Sequence, residues 1–185
     1  MMITLTGFMG SGKTTVGKVL ADFLGCPFMD LDDLVVKKAG KSIPDIFAQD
    51  GEPAFRLLEA QVLRKTVEKY AESTAVLALG GGAVLAPASA ALLHEKTVCI
   101  YLRATLDTLL ARLAGETAGR PLLQEIPDQV GDDGGSIVMP GPDRASVSAR
   151  LASREPIYEK TAHVIIDTDG LSPDEVADEI IISAL

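Results

Sequence analysis

Apolar residues along this chain fall into two rhythms that alternate almost from end to end. Short strand-like apolar runs occur at Met2 to Thr6, Phe28 to Asp30, Ala75 to Leu79, Thr97 to Leu102 and Val164 to Asp167, and the continuous run Ala75 to Leu79 is of the kind buried on both faces of a sheet. Between them apolar positions return at helical spacing: Val16, Val19, Leu20 and Phe23 first, then Leu34 to Val36 until Gly40 stops them. A short helical piece from Ser42 to Gln49 tolerates Pro44 only in its first turn, and a long amphipathic helix from Pro53 to about Ala71 carries Phe55, Leu58, Val62 and Leu63 along one side. Further helices are expected at Pro87 to His94 and Thr105 to Leu113, and Ser172-Pro173-Asp174-Glu175 opens the last with a capping box. Strand alternating with helix predicts an α/β fold, a three-layer architecture in which a five-stranded parallel sheet is flanked by helices.

The rhythm fails between Gly115 and Asp143. From Gln124 onward this stretch carries Glu125, Asp128, Asp132, Asp133 and Asp143, a Gly134-Gly135 pair, and no Lys or Arg. A loop of this length inside a compact domain is usually a functional lid or a disordered segment, and it holds too few periodic apolar positions to build a core. The expectation is one domain over residues 1–185, with 114–143 as a lid containing an extended acidic insertion.

Composition narrows the classes. With 185 residues, 47% hydrophobic and 4% aromatic, the chain has the balance of a Val/Ile/Leu/Ala-rich α/β domain. A net charge of −9 without any Lys/Arg run argues against a general nucleic-acid binder. Cys26 and Cys99 lack metal-ligand spacing and are read as buried small hydrophobes, and His94 and His163, away from the glycine loops, as structural. No apolar run approaches membrane-spanning length and the first strand leaves no room for a signal peptide, so a cytoplasmic protein, without membrane or nucleic-acid partners and acting as a monomer, is expected.

The sharpest chemical signal is Gly7-Phe8-Met9-Gly10-Ser11-Gly12-Lys13-Thr14, which fits G-x-x-x-x-G-K-[ST] between a strand and a helix. In that context backbone N–H groups point inward at phosphate oxygens and the helix adds the positive end of its dipole. Lys13 reaches the β/γ-phosphates and the Thr14 hydroxyl ligates Mg2+, so a nucleoside triphosphate is the expected ligand.

In open parallel sheets ligands bind beyond the C-terminal strand ends. That edge gathers the phosphate loop, Asp30 and Asp32 after the second strand, and Gly80-Gly81-Gly82 after the third. Two residues apart on extended chain, Asp30 and Asp32 point to the same side, so that one can hold Mg2+ through water while the other accepts a proton from an acceptor hydroxyl. The competing reading is an acidic turn capping the next helix, a role that suits Asp33. The glycine triplet either admits a substrate close to the backbone or is simply a tight turn. Arg56 reads first as a helical partner of Glu52 or Glu59. Arg120 at the start of the lid is placed to close over a transferring phosphate, whereas Arg154 is ambiguous in isolation.

Taken together these segments resemble shikimate kinase over nearly the whole chain. The resemblance is carried by Gly7 to Gly17, Asp30-Leu31-Asp32, Ser42-Ile43 to Phe47 with Gly51-Glu52 and Phe55-Arg56, Leu79 to Val84, Arg120 to Leu123, and Arg154-Glu155-Pro156-Ile157-Tyr158 with Asp167-Thr168. It implies a P-loop, nucleoside-monophosphate-kinase-like fold and transfer of the ATP γ-phosphate to the 3-hydroxyl of shikimate, a step towards chorismate and the aromatic amino acids. It further implies that Lys13, Asp32 and Arg120 are catalytic and that Thr14 and Asp30 hold Mg2+. Nucleotide contacts then fall on Gly10, Ser11, Gly12, Lys13, Thr14, Thr15, Arg112, Arg120 and Pro173. Shikimate contacts fall on Asp32, Arg56, Gly80, Gly81, Gly82 and Arg154, the two arginines clamping the carboxylate. The intervals from Arg112 to Arg120 and from Arg120 to Arg154 are longer than the family pattern.

Two other readings compete. A gluconate kinase or another small-metabolite P-loop kinase shares the loop but has different acceptor contacts. A catalytically dead nucleotide-binding regulatory module is expected to lose the base or the clamp, yet Lys13, Asp32, Arg56, Arg120 and Arg154 are all present.

Overall fold

In a computed structural model, which describes residues 1–117 and 144–184, the strands are β1 (Met2–Thr6), β2 (Phe28–Asp30), β3 (Ala75–Ala78), β4 (Val98–Arg103) and β5 (Val164–Asp167). They form one five-stranded sheet in the order β2-β3-β1-β4-β5, with every neighbouring pair parallel. The helices are α1 (Lys13–Leu24), α2 (Leu31–Ala39), α3 (Ile43–Lys69), α4 (Pro87–Lys96), α5 (Leu106–Thr117), α6 (Arg144–Thr161) and α7 (Pro173–Ala184).

Strand periodicity sorts the core onto two faces. Ile3 and Leu5 of β1, Val76 of β3, and Ile100 and Leu102 of β4 pack with Val16 and Leu20 of α1 and Val176 and Ile180 of α7. Leu77, Cys99 and Tyr101, at the alternate positions, pack on the other face with Leu31, Val35, Phe55, Leu63, Leu93 and Tyr158. A polar centre is tolerated because it is bonded. Thr4, fully buried on β1, shares a 2.9 Å hydrogen bond with the Thr97 hydroxyl, which itself lies 2.7 Å from the Leu93 carbonyl.

Register decides what meets at the functional edge. Leu5 of β1 pairs with Ala78 of β3, and the Leu79 N–H donates to the Leu5 carbonyl at 3.0 Å. The phosphate loop after β1 and the glycine turn after β3 therefore emerge side by side, because the third strand in sequence inserts between the second and the first.

Several expectations change. The carboxylates of Asp30 and Asp32 do not share a side of extended chain, because the strand ends at Asp30 and α2 begins at Leu31. Asp30, not Asp33, is the N-cap: its Oδ1 accepts the Asp32 N–H at 3.0 Å. The pieces expected at Ser42 to Gln49 and Pro53 to Ala71 form one helical run broken at Gly51 (φ 79°, ψ 168°). Phe23 leaves the buried face of α1 and is 67% exposed. Cys26 is half-buried, whereas Cys99 is buried with its thiol pKa pushed up to about 11 by burial.

α6 was not expected. It buries few side chains, Val147, Tyr158 and Thr161 among them, and contains Pro156, so its apolar pattern is too sparse to announce a helix. α5 extends through Thr117, which makes 114–117 helical; the rest of the expected lid, Arg120 included, lies outside the described residues.

His94 and His163 serve packing. Their rings stack at 4.5 Å, the His94 Nδ1 lies 3.2 Å from the Thr161 carbonyl, and the His163 Nδ1 accepts the Cys99 N–H at 3.1 Å.

Candidate active site

The phosphate loop takes its shape from glycines at positive φ, Gly10 at 78° and Gly12 at 93°, a region in which a side chain would be strained. α1 starts at Lys13, so its first N–H groups face the loop. Lys13 folds back to donate from Nζ to the carbonyls of Gly7 at 2.9 Å and Phe8 at 2.8 Å. Thr14 donates from its hydroxyl to Asp30 Oδ2 at 2.9 Å. The Thr14 hydroxyl and the Asp30 carboxylate are thus adjacent, a pair of hard oxygens suited to Mg2+, which uses one or two protein oxygens and completes its shell with phosphates and water.

A cavity of about 320 Å³ opens beside this loop. Gly10, Ser11, Gly12 and Thr15 line one part, and Arg112, Thr168, Leu171, Pro173 and Val176 the other. Arg112 is held there by bonds from Nη1 to the Thr168 hydroxyl at 3.1 Å and from Nη2 to the Thr168 carbonyl at 2.9 Å. Thr168 and Leu171 fall in the Asp167 to Pro173 stretch that the family resemblance assigns to the nucleotide, whereas Val176 has no signal in the sequence beyond its place in the last helix. The Ser11 hydroxyl is buried without a hydrogen-bond partner, as suits a loop built to receive acceptor oxygens.

Across the loop lies the glycine turn, and its glycines serve close approach. A Cβ on Gly80 would stand 2.8 Å from Asp32 Oδ1 and 3.0 Å from Glu59 Oε1, and one on Gly82 would stand 2.6 Å from Arg56 Nη1. Gly81 leans the other way, towards the Gly7 carbonyl and Met9 N, and its own carbonyl accepts the Tyr158 hydroxyl at 2.6 Å.

Arg56 makes both of the helical ion pairs expected for it, Nε to Glu52 at 3.2 Å and Nη1 to Glu59 at 3.0 Å. These pairs direct the guanidinium at Gly82 rather than outward. Glu59, only 4% exposed, is the functional residue sequence reasoning missed; its place on a helix next to an arginine looked ordinary. The signal was its position on the apolar side of α3, near Phe55, Val62 and Leu63.

Arg154 reaches the site from α6. It stacks 5.9 Å over the Phe8 ring of the phosphate loop and lies close enough to Tyr158 to influence its phenol. Arg56 thus abuts the glycine turn itself, whereas Arg154, nearly a hundred residues away in sequence, lies over the phosphate loop beside Tyr158, whose hydroxyl bonds that turn.

Burial, reinforced by the Asp30 charge, holds the Asp32 carboxyl above the ordinary aspartate pKa, with Lys13 and Arg56 pulling the other way. Burial likewise raises Glu59, against the attraction of Arg56. A carboxylate raised in this way is a better proton acceptor than a solvated one.

A phosphate-cradling loop on a parallel sheet in this strand order, with a separate acidic and basic pocket beside it, defines a P-loop kinase of the nucleoside-monophosphate-kinase-like class. The family model for shikimate kinase matches residues 9–184. Shikimate kinase of Salinibacter ruber is 44% identical over 91% of this chain and 78% of its own length, and that of Enterococcus faecalis is 39% identical over 97% and 95%. The structure of the shikimate kinase from Acinetobacter baumannii in complex with shikimate superposes with a TM-score of 0.79 at 32% identity, covering 97% of this chain and 90% of that one. The chain belongs to the shikimate kinase family, a family of ATP-dependent phosphotransferases, which decides against both the gluconate kinase reading and the dead module.

Proposed function

We propose that this protein transfers the γ-phosphate of ATP to the 3-hydroxyl of shikimate, and that the residues around the two glycine loops divide the work. The observation that carries the reading is the placement of Asp32 and Arg56 against the Gly80 to Gly82 turn directly beside the phosphate loop, over whose Phe8 Arg154 lies. Two guanidiniums, one at the glycine turn and one at the phosphate loop, suit a carboxylate, and their forked donors fix its orientation. Asp32, with its raised pKa, accepts the proton of the attacking hydroxyl or aligns that oxygen for in-line displacement.

On the donor side, Gly10, Ser11, Gly12, Lys13, Thr14 and Thr15 hold the phosphates, and Arg112 and Pro173 flank the base in the 320 Å³ cavity. Lys13 must leave the carbonyls of Gly7 and Phe8 to reach the phosphates, exchanging two neutral acceptors for charged ones. Thr14 directly and Asp30 through water would hold Mg2+, which supplies positive charge to the β- and γ-phosphate oxygens. Arg120, outside the described residues, is assigned the closing cation over the transferred phosphate, and 114–143 the lid of a single domain. No helix among the described residues is long and apolar enough to cross a membrane, and a cytoplasmic monomer without nucleic-acid partners completes the reading.

A coupled ADP-release assay with shikimate, gluconate or no acceptor tests the assignment. Turnover with shikimate alone is expected; turnover without acceptor, or with gluconate only, overturns it.

A further inference from the structure

A second concavity, of about 420 Å³, lies between α2 and the C-terminal half of α3, and shares no lining residue with the cavity beside the phosphate loop. Met29, Leu34, Leu58, Val62 and Tyr70 give it an apolar lining. Lys37 and Lys38 of α2 and Lys65 and Lys69 of α3 also line it, and among the described residues no Asp or Glu does.

That distribution is unusual for this molecule. The chain carries a net charge of −9, yet four of its nine lysines line one groove. None of the four forms an ion pair among the described residues, although Lys41, Arg56, Arg64, Arg103 and Arg144 all do. Lys37 and Lys38 find partial relief at the negative end of the α2 dipole. Lys65 is further from its helix end, and with Lys69 it makes a like-charge pair one turn apart, an arrangement that disfavours the helix.

We propose that this groove is a binding site for a small free molecule with a flat apolar body and an anionic group, the body lying on Leu34, Leu58, Val62 and Tyr70 and the anion meeting the lysines. The volume falls in the range of small-molecule sites, about 300–1,000 Å³, and an apolar lining with a few convergent charges is their usual chemistry. The positive rim selects an anion by charge complementarity, and Lys69, 5.1 Å from the Tyr70 ring, already places a cation against an aromatic surface. This site goes beyond the proposed reaction and does not rest on it.

The test is isothermal titration of the enzyme, saturated with ADP, Mg2+ and shikimate, with 2-naphthoate and with 2-naphthamide, which match in shape and differ in charge. Naphthoate is expected to bind about tenfold more tightly than the amide, the scale set by two lysine contacts at a partly exposed site. The Lys37→Gln/Lys65→Gln variant should bring that ratio close to one while keeping shikimate turnover, which also reports that it folds; Lys65→Gln alone should lower the ratio by a smaller factor. Equal affinity for acid and amide, no binding of either, or an unchanged ratio in both lysine variants overturns the proposal. If shikimate itself fails to bind, the reaction assignment fails, and the lysine-dependent ratio still decides this one.

Discussion

Replacing Gly82 by alanine perturbs the acceptor side through one atom. The added Cβ would lie 2.6 Å from Arg56 Nη1, 2.8 Å from Nη2 and 2.9 Å from Cζ, whereas ordinary contact begins at 3.4 Å. The guanidinium must therefore retreat by about 0.8 Å, the gap between 2.6 and 3.4 Å. Its bond to Glu59 is already 3.0 Å, and Arg56 is tethered on its other side to Glu52, so where the retreat leads away from Glu59 that bond passes out of hydrogen-bond range. Glu59 is 4% exposed, so water replaces the lost donor poorly, and a buried acceptor left unsatisfied costs about 1–3 kcal/mol. In a domain of this size each kcal/mol lowers Tm by about 2–4 °C, so the variant should melt several degrees below the parent. A misplacement approaching 1 Å can cost up to about 10²-fold in a positioned group, and the loss should fall on the shikimate KM while the ATP KM stays put. Gly81→Ala is the internal control for stability, because its Cβ meets nothing nearer than 3.7 Å and should leave Tm unchanged. Thermal melts and steady-state kinetics read both variants. A parental Tm and shikimate KM in Gly82→Ala, or an equal Tm loss in Gly81→Ala, would refute the claim that this turn clamps Arg56.

Asp32→Asn should lower kcat by about 10²–10⁴-fold with ATP binding intact, as measured by single-turnover kinetics and nucleotide titration. The same change should raise stability with increasing pH. The folded-state pKa of Asp32 is raised, so its contribution to stability is full below the unfolded aspartate value and is lost as pH rises through the folded one. The Tm of the variant minus that of the parent should grow more positive from pH 4 to 7; a difference that shrinks over this range contradicts the burial argument. Arg154→Ala should raise the shikimate KM by about tenfold or more with little change in kcat, since a carboxylate contact is made alike in ground and transition states. An unchanged KM would remove Arg154 from the clamp.

The local signals of this chain were strong wherever one segment had to supply its own structure. Five apolar runs, the G-x-x-x-x-G-K-T loop, the Ser172 capping box and the Gly40 stop each state a local preference that needs no distant partner, and each was realised, the box with bonds of 2.8 and 3.3 Å. α6 stayed hidden because its few buried residues draw their stability from β4, α4 and α5 rather than from its own pattern. Asp30 and Asp32 could be selected as chemically important, yet their geometry was misjudged, since a helix that starts at Leu31 competes with continued strand and wins by using Asp30 as its cap.

The donor half of the site was thus written in contiguous sequence: glycines, Lys13 and Thr14 lie within one turn of chain, and backbone geometry alone brings them together. The acceptor half was decided by tertiary structure. Insertion of β3 beside β1 sets Gly80 to Gly82 against the phosphate loop, burial turns Glu59 from an exposed helical partner into the anchor of Arg56, and α6 brings Arg154 over Phe8 of that loop. A phosphate loop needs only neighbours along the chain, whereas a pocket for a free hydroxy acid needs charges held from several directions, and only packing supplies those.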